Sequence, residues 1–170
     1  ECRILNLCHS TILGSLNSTL TSQLRVLDIS QPVHMRPDRE YFEENNVVVA
    51  DLLFSCGSLQ HLAMEGIQLT PEIADGICHN GKTLKILNLN SSDLQSSYSS
   101  YLKIFKYCQE LKEIDLTNVN QGKGLPGNDL VFFLENIAPN VEILKLSCVH
   151  QDPVFVRVLL RRCNKIKVLS

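Results

Sequence analysis

The amino-acid sequence predicts an α/β solenoid, a horseshoe with a parallel sheet on its concave side and helices on its convex side. Three observations predict it. An apolar frame recurs seven times in one phase, helix-start signals fall in the stretches between recurrences, and cysteines stand at a fixed distance ahead of the frame.

The frame is cleanest at Leu84-Lys85-Ile86-Leu87-Asn88-Leu89, of the form L-x-x-L-x-L, with Leu94 following. It recurs at Cys2, Leu5 and Leu7, at Leu24, Leu27 and Ile29, and at Leu59, Leu62 and Met64. Leu111, Ile114 and Leu116, then Val141, Leu144 and Leu146, then Ile166 and Leu169 complete the set. Starts at residues 2, 24, 59, 84, 111, 141 and 166 lie 22 to 35 residues apart, the spacing of leucine-rich repeats. Each frame is a short strand whose alternate side chains face opposite ways, apolar inward and the intervening residues outward.

Helices follow most strands. Thr70-Pro71-Glu72 supplies a cap residue, a proline for the first helical position and an acid for the first turn, ahead of Ile73, Ala74 and Ile77 at helical spacing. Tyr98, Leu102 and Phe105 form a stripe ending before Cys108. Asn128-Asp129 precedes Leu130, Phe133, Leu134 and Ile137. Asp152-Pro153 opens a segment with Val156, Leu159, Leu160 and Cys163 on one face. Residues 31–38, with two prolines, and the glycine-rich residues 121–128 read as loop insertions.

The chain opens directly on one frame and stops inside another, with no polar cap at either end. Residues 1–170 are therefore expected to be one leucine-rich-repeat domain cut from a longer chain. A hydrophobic fraction of 44% and a charged fraction of 20% describe an ordinary globular chain rather than a disordered one. The net charge of -2 argues against a nucleic-acid partner bound by a global basic field. No apolar run reaches the ~20 residues of a membrane span, so no membrane partner is expected.

Seven cysteines, an odd number, include no short C-x-x-C pair. Cys56, Cys108 and Cys163 each stand three residues before a frame start, in every second repeat, too far apart to pair with one another. They are read as free thiols packed as small hydrophobes, which suits a reducing compartment, cytoplasm or nucleus.

The outward strand positions define the candidate site, a partner-binding concave face. Asp28, Ser30, His61, Glu65, Asn88, Asn90, Glu113, Asp115 and Lys145 are its predicted contact residues, beside an apolar row at Val26, Ile86 and Ile143. Acids, amides and exposed apolar groups together suit a protein partner with basic and apolar groups. No phosphate-binding glycine loop, G-x-S-x-G or H-E-x-x-H occurs, and no cofactor or metal is expected. Glu113 and Asp115 share a strand face but lack the burial that tunes a catalytic acid, and Cys148 and His150 lack a third orienting group. Asn17-Ser18-Thr19 and Asn90-Ser91-Ser92 match the glycosylation pattern, and are read as chance matches.

The stretches Ser55-Cys56-Gly57-Ser58-Leu59-Gln60-His61-Leu62-Ala63-Met64-Glu65-Gly66 and Leu160-Arg161-Arg162-Cys163-Asn164-Lys165-Ile166 carry a further signal. Repeats of about 26 residues with a cysteine just ahead of the strand resemble the cysteine-containing repeats of F-box/LRR proteins. The likeness is reasonable over residues 55–170 and weak over the first 54. It implies the substrate-holding part of an SCF-type ubiquitin ligase, with a protein substrate on the concave face and a cullin-ligase adaptor docked through an F-box outside this segment. The same repeat type also occurs in stand-alone, ribonuclease-inhibitor-like interaction scaffolds, which is the alternative reading. An upstream F-box would separate the two.

Overall fold

A computed structural model describes residues 2–4, 18–30, 39–94, 98–120, 135–136, 140–146, 157–159, 161 and 164–169. The chain alternates strand and helix in the order β1 (Cys2–Ile4), α1 (Ser18–Ser22), β2 (Leu24–Asp28), α2 (Arg39–Ser55), β3 (His61–Ala63) and α3 (Pro71–His79). It continues with β4 (Ile86–Asn88), α4 (Tyr98–Tyr107), β5 (Glu113–Leu116), β6 (Ile143–Leu146) and β7 (Val168–Leu169). The strands form one sheet in sequential order from β1 to β7, and every pairing is parallel. Each of the seven frames contributes one strand, with Leu5 and Leu7 of the first lying outside the described residues.

Register follows from burial. The middle apolar residues Leu27, Leu62, Leu87, Ile114 and Leu144 stand opposite one another across β2 to β6, and each is 0% exposed. The first frame positions, Leu24, Leu59, Leu84, Leu111 and Val141, form a second buried tier, and Ile29, Met64, Leu89, Leu116 and Leu146 a third. A slip of one residue in any central strand would turn these tiers outward, so the pattern holds the register.

The first strand departs from the frame. Cys2 stands opposite Leu24 as expected, but the register then shifts, placing Arg3 opposite Val26 and Ile4 opposite Leu27. Arg25 is the extra residue on β2. Ile4 therefore does not extend the row of Val26, as the frame alone implies, but aligns with the middle tier.

Helix α3 forms as its start signal requires. Thr70 has extended backbone, its Oγ1 accepts from the Ile73 N–H at 3.3 Å, and Pro71 opens the helix. Helix α4 buries Phe105 of the expected stripe together with Tyr101 and Ile104, with Cys108 just beyond, while Leu102 packs at the margin and the side chain of Tyr98 lies outside the described residues. Cys108 is fully buried, and counting back from it at helical spacing gives 105, 104 and 101. Helix α2 occupies much of the longest inter-repeat interval and was not marked by a start signal. It buries Val49, Leu52 and Leu53 and leads into Cys56 at the same spacing.

The two insertions at 31–38 and 121–128 lie outside the described residues. So do most of 128–137, of which Glu135 and Asn136 are helical, and the Asp152-Pro153 start, after which Arg157–Leu159 and Arg161 are helical. Cys56 and Cys108 fill the corner between a helix end and the next strand at 0% exposure, as their shared phase predicts; Cys163 lies outside the described residues.

The turn after each described central strand has one left-handed residue at the eighth frame position: Gly66 (φ 75°), Ser91 (φ 58°) and Asn118 (φ 55°). Only Gly66 adopts it without a Cβ penalty. Polar side chains stitch the repeats: Asn80 Nδ2 donates to the Leu53 carbonyl at 2.8 Å, Thr83 Oγ1 to that of Leu59 at 2.7 Å and Ser92 Oγ to that of Met64 at 2.9 Å. The Leu94 N–H donates to Asn120 Oδ1 at 2.8 Å.

Two stability measurements follow from this packing. Leu87→Ala is expected to cost roughly 2–5 kcal/mol in urea unfolding, because a fully buried tier loses most of a side chain. A loss below 1 kcal/mol, on the order of a surface substitution, would contradict the register. Gly66→Ala is expected to cost about 1–2 kcal/mol from its left-handed backbone, whereas alanine at half-buried Gln68 in the same turn region costs far less.

Candidate protein-binding face

The strands that bury one set of side chains present the other set as rows, one residue per repeat, with neighbouring strands about 4.8 Å apart. The first row is Val26, His61, Ile86, Glu113, Ile143 and Val168. The second is Asp28, Ala63, Asn88, Asp115 and Lys145. Two residues beyond the second row stand Ser30, Glu65, Asn90 and Thr117, all half-buried. All nine predicted contact residues thus fall on these three rows.

The second row does structural work that the sequence reading did not assign to it. Asp28 Oδ1 accepts from the Ser30 N–H at 3.0 Å, Asn88 Oδ1 from the Asn90 N–H at 2.8 Å, and Asp115 Oδ1 from the Thr117 N–H at 3.0 Å. Each short polar side chain closes a local turn at the end of its own strand. Ala63 lacks an acceptor, and there the Glu65 N–H donates instead to Ser30 Oγ of the preceding repeat at 3.1 Å. Aspartate or asparagine at this frame position is a sequence signal for such a turn.

Electrostatics divide the face. Lys145 Nζ lies 3.1 Å from Glu113 Oε1 and 3.3 Å from Asp115 Oδ2. Its ammonium is held above the ordinary lysine range, first by the hydrogen bond to Glu113, with the bond to Asp115 adding to it against partial desolvation. The acids of β5 are therefore partly neutralised from β6, and Asp115 is only 8% exposed. Asp28 and Glu65, on the repeats of β2 and β3, have no described lysine or arginine within ion-pair distance. The Glu113–Asp115 pair is bridged by a cation rather than arranged around a reacting atom; Cys148 and His150 lie outside the described residues. Among the described residues, no group of three His, Cys, Asp or Glu side chains could hold a metal ion, and no helix is long and apolar enough to cross a membrane.

A second charged feature borders the face. The second frame position reads Arg25, Gln60, Lys85, Lys112, Glu142 and Lys167, joined strand to strand by backbone hydrogen bonds. Arg25, Lys85, Lys112 and Lys167 are exposed, and Lys167 Nζ pairs with Glu142 Oε2 at 2.7 Å. An acid-and-amide floor thus meets a basic edge along the strand N-termini. Reading the frame one position earlier would have found it.

No family model matches the chain, and no curated protein sequence does. Among solved structures it is similar to a tropomodulin C-terminal domain from Caenorhabditis elegans, with a TM-score of 0.58 and 12% sequence identity over 85% of this chain and 84% of that one. At that identity the likeness concerns the fold, and it agrees with the strand–helix repeat described above.

The double role of Asp115 is separable. Asp115→Asn keeps an acceptor for the Thr117 N–H and loses only the charge facing Lys145, whereas Asp115→Ala loses both. The alanine variant is expected to be less stable than the asparagine variant by about 0.5–1.5 kcal/mol in chemical denaturation. Equal losses would mean that the ion pair, not the turn, is what Asp115 supplies.

Proposed function

We propose that the chain is a protein-binding scaffold that holds its partner against the concave face. The observation that carries this reading is the first row, where Val26, Ile86 and Ile143 remain half-buried on an open sheet among His61, Glu113 and the polar second row. Apolar side chains left in a line beside carboxylates and amides fit a partner segment that brings both apolar and basic groups. Asp28, Ser30, His61, Glu65, Asn88, Asn90, Glu113, Asp115 and Lys145 are the contact residues of this reading. Binding to carboxylates is directed toward Asp28 and Glu65, since Lys145 already occupies those of β5.

The finer reading is that the scaffold is the substrate-recognition part of an SCF-type ubiquitin ligase. Its support is the resemblance of the cysteine-phased repeats to F-box/LRR proteins, together with the buried corner positions of Cys56 and Cys108. Free thiols at Cys56, Cys78 and Cys108 favour a cytoplasmic or nuclear location for such a receptor. A ribonuclease-inhibitor-like scaffold outside ubiquitin transfer is the second reading, favoured by the fold alone.

Affinity purification of the full-length protein from its own cells separates these readings. A cullin and its adaptor among the retained proteins are expected for the ligase; their absence, with other proteins retained, would leave the plain scaffold. For the face itself, Ile86→Glu is expected to weaken binding of a retained partner at least tenfold, the loss of a central contact. Glu72→Arg on the convex side is expected to leave binding unchanged. Equal affinities for the two variants, with both folded by circular dichroism, would remove the concave face from the account.

A further inference from the structure

Helices α3 and α4 lie side by side on the convex layer, and each carries a cysteine at or near its C-terminal end. Cys78 belongs to α3 and is partly exposed; Cys108 follows α4 and is 0% exposed. The backbones that hold them converge. A Cβ at Gly81 would meet the Tyr107 carbonyl oxygen at 2.7 Å and the Cys78 carbonyl oxygen at 3.0 Å, so glycine permits the approach. Cys108 Sγ lies 3.9 Å from the Ile77 carbonyl, next to Cys78 in the chain. A lysine and an acid border the pair, Lys103 of α4 bridging to Asp75 of α3.

We propose that Cys78 and Cys108 form a peroxide-reactive dithiol that closes into a reversible disulfide between two adjacent repeats. The asymmetry of the pair assigns the roles. Cys78 is the partner that solvent reaches, with Lys103 and Asp75 beside it, whereas Cys108 is wholly buried. Cys108, cut off from solvent, waits as the thiol. The Cys78 thiolate attacks the O–O bond of a hydroperoxide such as hydrogen peroxide, and the bond breaks to leave a sulfenic acid and hydroxide, which takes up a proton to become water. The Cys108 sulfur then attacks the sulfenic sulfur, the S–O bond breaks, the hydroxyl departs with the Cys108 proton as a second water, and the S–S bond forms. Two thiols are oxidised, and one peroxide is reduced to two waters. A dithiol reductant reverses the step by thiol–disulfide exchange.

The oxidation joins the convex layer of two repeats and touches none of the concave rows. Cys56 is the internal control: it is fully buried, lacks a thiol neighbour among the described residues, and burial pushes it up to about 11.

The test treats the whole protein with limiting hydrogen peroxide at neutral pH, blocks remaining thiols after unfolding, and maps peptides by mass spectrometry. The expected result is a peptide linking Cys78 to Cys108, formed at least tenfold faster than any oxidation of the fully buried Cys56, and erased by dithiothreitol. In Cys108→Ser, dimedone is expected to trap a sulfenic acid on Cys78, and in Cys78→Ser, Cys108 is expected to stay unmodified. Wild-type protein in which Cys56 and Cys78 react at equal rates, or in which Cys78 proceeds to sulfinic acid without joining Cys108, would overturn the proposal without reliance on either variant.

Discussion

Five side chains set opposite one another, Leu27, Leu62, Leu87, Ile114 and Leu144, hold the parallel register that every other feature of this chain depends on. None of the five is exposed. Burying them requires a neighbour on each side, because a lone strand and helix have no second layer to cover an apolar tier. The register then fixes the opposite face without further choice. Where the tier is in register, so are Asp28, Ala63, Asn88, Asp115 and Lys145, and so are Val26, His61, Ile86, Glu113 and Ile143. The surface offered to a partner is thus a by-product of the core, and a change in one is a change in the other.

Polar residues on that surface serve two ends. Asp28, Asn88 and Asp115 each accept a backbone N–H two residues on, which ends the strand and orients the turn that follows. Ser30 supplies the missing acceptor for the repeat in which Ala63 stands. Lys145 spans Glu113 and Asp115 and lowers the local negative charge at one end of the row. These half-buried pairs determine which carboxylates remain for a ligand. The face is therefore graded, more acidic toward β2 and β3 and balanced toward β6, with a basic edge along the strand starts.

Much of this was legible in the sequence. The frame placed the strands and, on β2 to β6, the inward tiers, because an alternating pattern repeated in one phase has few other ways to bury its apolar side chains; Leu169 of the last frame is 50% exposed. Thr70-Pro71 placed α3 because its capping chemistry is local. Other features depend on contacts that no short window contains. Helix α2 has a β-branched run at Val47, Val48 and Val49 that does not announce a helix, and its identity comes from packing through Leu52 and Leu53. The stripe of α4 includes Phe105 but passes over Tyr101, because tyrosine reads equally well as surface or core. The register shift at β1 comes from one extra residue on its neighbour. The partnership of Cys78 with Cys108 joins residues thirty apart on neighbouring helices, so cysteine spacing within the repeat phase passed over it. Among the predicted contact residues, the pattern gave their rows but not their hydrogen bonds, since an Asp on a strand reads alike whether it meets a partner or its own backbone.

The central claim is that partner contact lies on the concave rows and not on the helical layer. A photo-crosslinking amino acid placed singly at positions 61, 86 and 143, and separately at the exposed convex positions 72 and 106, tests it most directly in the full-length protein with a co-purifying partner. The account predicts that the three concave positions crosslink to one and the same partner and that the convex positions do not. Crosslinks from 72 or 106 with silence at 61, 86 and 143 would contradict it.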